Sequence, residues 1–527
     1  MLLPRDLLRR CAQNFPDKTA YICGASKATW ADMDRRSDRC AHALQSLGLT
    51  HGDTTAVLAP ECIEIYEHFF ACMKLGLRRV GVNNRYAWPE ILHVLTDSST
   101  KILLVHKDCL SLLAGHLDEI KSLNITLIGF GEMHGLDKDF EQLLGAVTAP
   151  PVLPDIAPDD VLFISYTSGT TGLPKGVLLT NGAATDVILH SLISFGFSRD
   201  DVWYQPAASA WVVLMMSVFN LGNGMTSVIP DGGFDINELL TEIAEHKITT
   251  VLLVPTMLQR AVALAKSGSY DLSSLRMIIY GSSPATPKLI RDASETLGVD
   301  LLQTYALTES TGGWVTFLTP AEHRHALEHE PELLRSVGRV GLHFDLSIRD
   351  HEGRELPIGE KGEIWLRGST LMQGYLNLPV ETAEALKDGW LTTNDIGRID
   401  ERGFVFLMDR KKFMIITGGI NVFPTTVEAI AIEHKAVEEI AVVGVPHPEW
   451  GEAVVGVVKR APGYEAVLEA DIIDFCAQHL GKPETPKHIV FVDELPKTSN
   501  AKVKKIEIRD RLTSTPGLVP WDTNLDR

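Results

Sequence analysis

Tyr166-Thr167-Ser168-Gly169-Thr170-Thr171-Gly172-Leu173-Pro174-Lys175-Gly176-Val177 packs hydroxyls, glycines and one lysine into a single phosphate-sized run. Glycine lets a backbone turn close to a ligand through conformations that other residues avoid. Successive free N–H groups, helped by Ser and Thr hydroxyls, then surround anionic oxygens. The run reads as a cradle for the phosphates of ATP. Just before it, Asp160-Val161-Leu162-Phe163-Ile164-Ser165-Tyr166 is mostly apolar and reads as a buried strand, so the loop should leave the edge of a sheet. Strands on both sides argue against a flexible surface linker of similar composition.

The common nucleotide P-loop needs Gly-Lys-Ser/Thr ahead of a helix. Here Lys175 follows Pro174 and precedes Gly176, then Val177-Leu178-Leu179-Thr180. This spacing belongs to a different phosphate loop, and it resembles the signature of the adenylate-forming superfamily, which includes acyl-CoA synthetases, luciferases and peptide-synthetase adenylation domains. The resemblance implies that Thr167, Ser168, Gly169, Thr170, Thr171 and Lys175 hold the nucleotide's phosphates.

At 527 residues the chain exceeds one ordinary core, and two or more domains are expected. With 45% hydrophobic and 22% charged residues the composition is that of a globular protein. The net charge of -19, from 49 Lys+Arg against 68 Asp+Glu, argues against nucleic-acid backbone binding as the main activity. The seven cysteines form no C-x-x-C pair and fit neither a disulfide framework nor a zinc cage, so a reducing compartment is expected. Met1-Leu2-Leu3-Pro4-Arg5-Asp6 is charged too early for a signal-peptide core, and Leu525-Asp526-Arg527 is no peroxisomal address. The most apolar run, Val212 to Phe219, is too short to span a bilayer. A cytoplasmic enzyme without a membrane span is the expectation; its oligomeric state is not legible, a homodimer being open.

Strand-like runs (Thr19 to Cys23, Lys101 to His106, Ile125 to Gly129, Thr250 to Pro255, Met277 to Tyr280) alternate with helix-like stretches such as Trp30 to Leu47 and Ile236 to His246. Such alternation predicts α/β layers with largely parallel sheets. Gly129-Phe130-Gly131-Glu132-Met133-His134-Gly135 nearly spells a dinucleotide fingerprint, but its spacing is one residue too long and it reads as a turn. From about Arg335 short alternating segments, Leu346 to Asp350, Gly362 to Arg367 and Gly403 to Met408, predict a small antiparallel subdomain. The charged run Asp409-Arg410-Lys411-Lys412 then marks a boundary. The expected fold is therefore α/β. A large N-terminal domain of stacked sheet layers plus the antiparallel subdomain spans 1–411, and a small mobile α/β domain spans 412–527.

Five further segments carry the resemblance across essentially the whole chain. Gln303-Thr304-Tyr305-Ala306-Leu307-Thr308-Glu309 is similar to the family's Tyr-Gly-x-Thr-Glu motif, which implies Tyr305 near the adenine, Thr308 on phosphate and Glu309 on Mg²⁺. Hard carboxylate oxygen suits Mg²⁺, and an aromatic face suits a purine. Trp390-Leu391-Thr392-Thr393-Asn394-Asp395 resembles the segment whose aspartate accepts both ribose hydroxyls, and an ionised Asp395 is an acceptor only, as that role requires. Arg410 matches the arginine that also reaches the ribose. Gly281-Ser282-Ser283-Pro284, after the strand ending at Tyr280, matches the wall between adenine and acyl pocket. Pro206 to Met216 occupies the acyl-pocket position, with Ser209 where many relatives place a larger gate residue and Trp211 close by. By that resemblance Ser209, Trp211, Tyr280 and Gly281 touch the acid, whereas Met215 and Met216 are as readily explained by core packing.

Pro496-Lys497-Thr498-Ser499-Asn500-Ala501-Lys502 resembles the family's catalytic-lysine motif, implying that Lys502 bridges carboxylate and α-phosphate. A fixed cation lowers the barrier where two anions must approach. Lys412 matches the hinge of the small domain, and Gly418-Gly419 the opening for a pantetheine arm. The implied chemistry is ATP-dependent activation of a small carboxylic acid to an acyl-adenylate, followed by transfer to CoA. An amine or a carrier-protein thiol is the alternative acceptor. Ala306, Asn394, Phe413 and Ala501 depart from the usual residues, and Pro483-Glu484 replaces a Tyr-Lys pair. Trp211, Met215 and Met216 without a neighbouring Arg or Lys suggest a mostly apolar acid of moderate size.

Overall fold

Helix Ile63–Leu75 carries apolar residues on every face, the pattern of a helix covered all round, and every residue of it except Glu64 is buried. Its Tyr66 stacks on Tyr21, ring centroids 4.6 Å apart, while its Phe69 lies 6.2 Å from Phe163. Tyr21 and Phe163 belong to different sheets, so this helix fills the space between them. Such double-sided burial needs the fully apolar run Phe69-Phe70-Ala71 that the sequence supplies.

The computed structural model describes residues 2–132, 135–136, 138–167, 173–206, 208–497 and 503–521. It is a mixed α/β protein that divides into two compact units, Met1–Leu346 with Leu366–Leu391, and Ser347–Trp365 with Thr392–Arg527. In the first unit one sheet runs in the order Gly374–Tyr375, Lys175–Thr180, Val161–Thr167, Arg78–Val82, Thr54–Leu58, Thr100–His106, Thr126–Phe130. The second carries the parallel neighbours Thr250–Leu253, Met277–Gly281 and Asp300–Ala306, followed by antiparallel Trp314–Leu318. The predicted helix Ile236–His246 is present, started by Asp235, whose side chain accepts from the N–H groups of Asn237 and Glu238.

In the second unit Trp390–Ile399 and Phe404–Arg410 form an antiparallel pair, and a five-stranded sheet is built on Val437–His447 and Gly451–Arg460. Helices Pro424–Ala431, Glu469–His479 and Lys505–Ser514 accompany it. Residues 347–365 and 392–411 of the antiparallel subdomain group with the C-terminal segment: Thr393 Oγ1 donates to the Ile364 carbonyl at 2.8 Å within the subdomain, and the Thr425 N–H donates to Asp409 Oδ2 at 3.0 Å across 411/412. Among the described residues no helix is long and apolar enough to cross a membrane.

Parallel strands Met277–Gly281 and Asp300–Ala306 stay paired toward their carboxyl ends, where Gly281 stands opposite Thr304. A Cβ on Gly281 would stand 2.4 Å from the Thr304 carbonyl oxygen, a contact that backbone cannot relieve. Gly281→Ala is therefore expected to destabilise the protein by about 1–3 kcal/mol. A lower thermal midpoint than the parent's checks this; an unchanged midpoint would mean that the two strands can part without loss.

Candidate active site

The phosphate-loop run begins and ends inside a β-hairpin. Strand Val161–Thr167 pairs antiparallel with Lys175–Thr180, placing Thr167 opposite Lys175 and Tyr166 opposite Gly176. The strand lies inside its sheet rather than at the edge, with the loop leaving its carboxyl end. Ser168, Gly169, Thr170 and Thr171 lie outside the described residues. Both hairpin ends are fastened: Tyr166 donates to Asp97 Oδ2 at 2.8 Å, and His93 Nε2 donates to the Pro174 carbonyl at 2.9 Å.

Lys175 leaves the hairpin with its Nζ 5.7 Å from the Tyr375 ring centroid and 4.0 Å from Glu381 Oε1. The Tyr375 hydroxyl donates to Glu309 Oε1 at 3.0 Å. One aromatic side chain thus links the loop's cation to the predicted metal carboxylate. Tyr375 is held there because its strand pairs with the hairpin, Tyr375 opposite Val177. The sequence alone does not single it out. Its signal is present as Gly374-Tyr375-Leu376, but nothing local tells a strand-edge tyrosine from packing.

Thr308 and Glu309 form one tight turn, Thr308–Ser310, rather than the start of a long helix. Three bonds brace it. Ser310 Oγ donates to the Leu307 carbonyl, Thr311 Oγ1 to the Thr370 carbonyl at 2.7 Å, and the Met372 N–H to the Glu309 carbonyl at 2.8 Å. Thr311 has φ 60° and Gly312 φ 66°, so the chain reverses sharply behind the carboxylate. A Cβ on Gly312 would touch Val212 and Met216, which places the Val212–Gly222 segment directly against this turn.

The turn after Gly281 is open. Ser282 takes φ 67°, and Ser282 and Ser283 are exposed, as a wall facing a ligand requires. Tyr305 is buried at the end of the adjacent strand. The crevice outside the carboxyl ends of parallel strands is where α/β sheets bind ligands.

Tyr280 lies on strand Met277–Gly281. Its ring is fully buried, and its hydroxyl donates to His323 Nε2 at 2.7 Å. Burial pushes the His323 imidazole down to about 4, and its Nδ1 donates to the Thr319 carbonyl, leaving Nε2 to accept. The side chain is committed to packing because successive strand residues face opposite sides, and Tyr280 points into the core. Met215 and Met216 are likewise core, Met216 packing with Trp203, Phe219 and Trp314. Ser209 is buried, while Trp211 is half-buried.

In the second unit Asp395 is buried and Arg410 sits opposite it across two strands, Nε to Oδ1 2.8 Å. The Asp395 N–H donates to Thr393 Oγ1, and the Asn394 N–H to Glu363. Asn394 has φ 58°, a left-handed conformation that Asn adopts more readily than most residues. The departure from glycine at this position is thereby explained. Lys412 is exposed, its ammonium 5.0 Å from the Phe413 ring, and Gly418 and Gly419 take φ 56° and 78° with open space where a Cβ would stand. Lys502 and Ala501 lie outside the described residues. Among the described residues no group of three or more His, Cys, Asp or Glu gathers as a metal cage. A lone Glu309 still fits Mg²⁺, which keeps waters and takes its remaining ligands from phosphates.

Residues 8–376 match the family model of the AMP-binding enzymes, and residues 426–502 that of the AMP-binding enzyme C-terminal domain. The chain is 33% identical over 513 residues to a fatty acid–[acyl-carrier-protein] ligase, ScoC, of Streptomyces coeruleorubidus, covering 95% of this chain and 94% of that protein. It is 34% identical over 509 residues to a feruloyl-CoA synthase of an Amycolatopsis species, covering 95% and 97%. Among solved structures, the amide bond synthetase McbA from Marinactinospora thermotolerans superimposes with a TM-score of 0.85 at 27% identity, over 96% of this chain and 99% of McbA.

Proposed function

The chain belongs to the AMP-binding enzymes and is an adenylate-forming acid ligase; from that premise we propose that it joins a mostly apolar carboxylic acid of moderate size to CoA through an acyl-adenylate. A carboxylate oxygen attacks the α-phosphorus of ATP, the bond from that phosphorus to the β-phosphate bridge breaks, and pyrophosphate leaves. The CoA sulfur then attacks the acyl carbon, the carbon–oxygen bond to AMP breaks, and the thiol proton passes to solvent.

The observation that carries this reading is the Lys175–Tyr375–Glu309 chain. It sets the Lys175 ammonium beside the ring, and the Glu309 carboxylate on the hydroxyl, of one tyrosine. Thr167, Ser168, Gly169, Thr170, Thr171 and Lys175 orient the leaving pyrophosphate, and Thr308 holds the α-phosphate. Gly281, Ser282, Ser283 and Tyr305 receive the adenine; Asp395 and Arg410 receive the ribose. Glu309 would hold Mg²⁺, which when bound neutralises phosphate charge. Lys502 draws the two reacting anions together. Lys412 serves as the hinge about which 412–527 turns between the half-reactions. Trp211 faces the acid, with Ser209 and Gly281 beside it.

CoA is favoured as acceptor because Gly418 and Gly419 leave unobstructed backbone, suited to a thin pantetheine arm. An acyl-carrier thiol or an amine is the second reading, supported by the acceptors named for ScoC and McbA. AMP release measured over a panel of acids, with CoA, with hydroxylamine and with neither, separates them. CoA-dependent AMP release and a thioester product are expected. Hydroxamate formation at full rate without CoA would transfer the assignment to an amide-forming or carrier-loading ligase.

A further inference from the structure

Two ionisable side chains are buried beneath the acid-site segment and grip opposite ends of one residue. Glu61 Oε1 accepts the Ser209 N–H at 2.6 Å, and Arg79 Nη1 donates to the Ser209 carbonyl at 2.6 Å. Arg79 is 1% exposed, Ser209 2% and Glu61 7%. Tyr66, fully buried, donates its hydroxyl to Glu61 Oε2 at 3.3 Å. Arg79 lies over the rings of Phe163 and Phe69, 5.3 and 5.9 Å from their centroids.

Strand Arg78–Val82 supplies a second grip from the same face. Residues two apart on a strand point to one side, and Gly81 meets the residue after Ser209: a Cβ there would lie 2.4 Å from Ala210 Cα. The Ser209–Ala210 backbone is thus held by a carboxylate, a guanidinium and a missing side chain. Just beyond it the chain packs Val212 and Met216 on Gly312, three residues from Glu309.

Stability does not account for this arrangement. Burying two charges is costly, and apolar residues of similar volume commonly serve a core as well or better. The two groups do not meet as an ion pair; each satisfies the other only through Ser209's peptide groups, and Arg79 Nε lacks a hydrogen-bond partner among the described residues. What the arrangement does fix is a backbone position, in both directions along the chain.

We propose that Glu61 and Arg79 are positioning residues of the acid site, fixing Ser209 and Ala210 and so setting how Trp211 and Val212 stand toward the Glu309 turn. Acid selectivity is then governed from the layer beneath the pocket. The inference rests on the ligase reading above, and it predicts which substrate responds: the acid, and not ATP.

The test is acid-dependent ATP–pyrophosphate exchange with purified full-length protein over straight-chain, branched and aromatic acids. Arg79→Met, Glu61→Met and Gly81→Ala each approach the same segment by a different route. In every variant that keeps the parent's circular dichroism, the acid KM is expected to rise about tenfold or more, with a changed order of preference among acids. The KM for ATP should stay at the parent's value. Arg79→Lys, which keeps a donor for the Ser209 carbonyl, should recover part of the loss. Variants that fold but keep both the acid KM and the order of acids overturn the inference, as do variants in which acid and ATP KM rise together. Should Arg79→Met not fold, Glu61→Met, which removes the acceptor for the Ser209 N–H, and Gly81→Ala decide alone. Exchange in the parent with no change in these variants refutes the positioning role only; no exchange in the parent with any acid refutes the ligase reading and this inference together.

Discussion

Replacing Lys502 with alanine is expected to cut acid-dependent ATP–pyrophosphate exchange by about 10²–10³-fold, the usual cost of removing one group that meets developing charge in a water-poor site. The first half-reaction forces a carboxylate against a polyphosphate, and both are anionic before any bond changes. In the proposed reading Glu309 would hold a metal that screens the phosphates, and Lys175 would draw on the departing end. Neither stands between the attacking oxygen and the α-phosphate, which is the place the lysine takes in this reading. The second half-reaction has no such approach of anions, since the acyl group is already activated. Lys502→Ala supplied with chemically prepared acyl-adenylate should therefore transfer to CoA at the parent's rate. Equal loss in both half-reactions, or no loss in exchange, would falsify the assignment. Thermal midpoints of variant and parent should agree, because the loss belongs to the reaction and not to the fold.

How much of this was legible beforehand depended on whether the information is local. Strands such as Thr19–Cys23 and helices such as Ile236–His246 declare themselves by period and by caps, and both fall where their patterns put them. Asp395 and Arg410 lie well apart in sequence yet face each other across a hairpin. The motif spacing carried that pairing implicitly. Tyr375 was not legible: its link to Glu309 exists only because the short strand Gly374–Tyr375 pairs with Lys175–Thr180. The burial of the Tyr280 ring was not legible either, since adjacency to Gly281 in sequence says nothing about which face of the sheet its ring takes. Glu61 and Arg79 were invisible as a pair. A glutamate before a helix and an arginine on a strand read as surface charges until the fold buries both on one residue's peptide groups. Asn394 shows the opposite relation, a departure from the expected glycine that its φ of 58° makes intelligible.

Glu309→Gln should lower adenylation by about 10²-fold and raise the Mg²⁺ concentration needed for half-maximal exchange. The substitution is chosen because glutamine keeps the length and an oxygen acceptor for the Tyr375 hydroxyl. The turn stays braced through Ser310, Thr311 and the Glu309 carbonyl, and only the charge is lost. Tyr375→Phe makes the complementary change. It leaves the carboxylate charged but frees its rotamer, and partners that orient a metal ligand typically matter by about tenfold. Its ring still lies beside Lys175, so the loop's cation should be undisturbed. The double variant distinguishes the roles: if Tyr375 acts through Glu309, removing its hydroxyl in the Glu309→Gln background costs nothing further. Additive losses would mean that Tyr375 reaches the phosphates on its own account. An Mg²⁺ titration of Glu309→Gln that overlays the parent's would show instead that the carboxylate is a structural acceptor for Tyr375, and the metal's ligand would have to be sought on another turn.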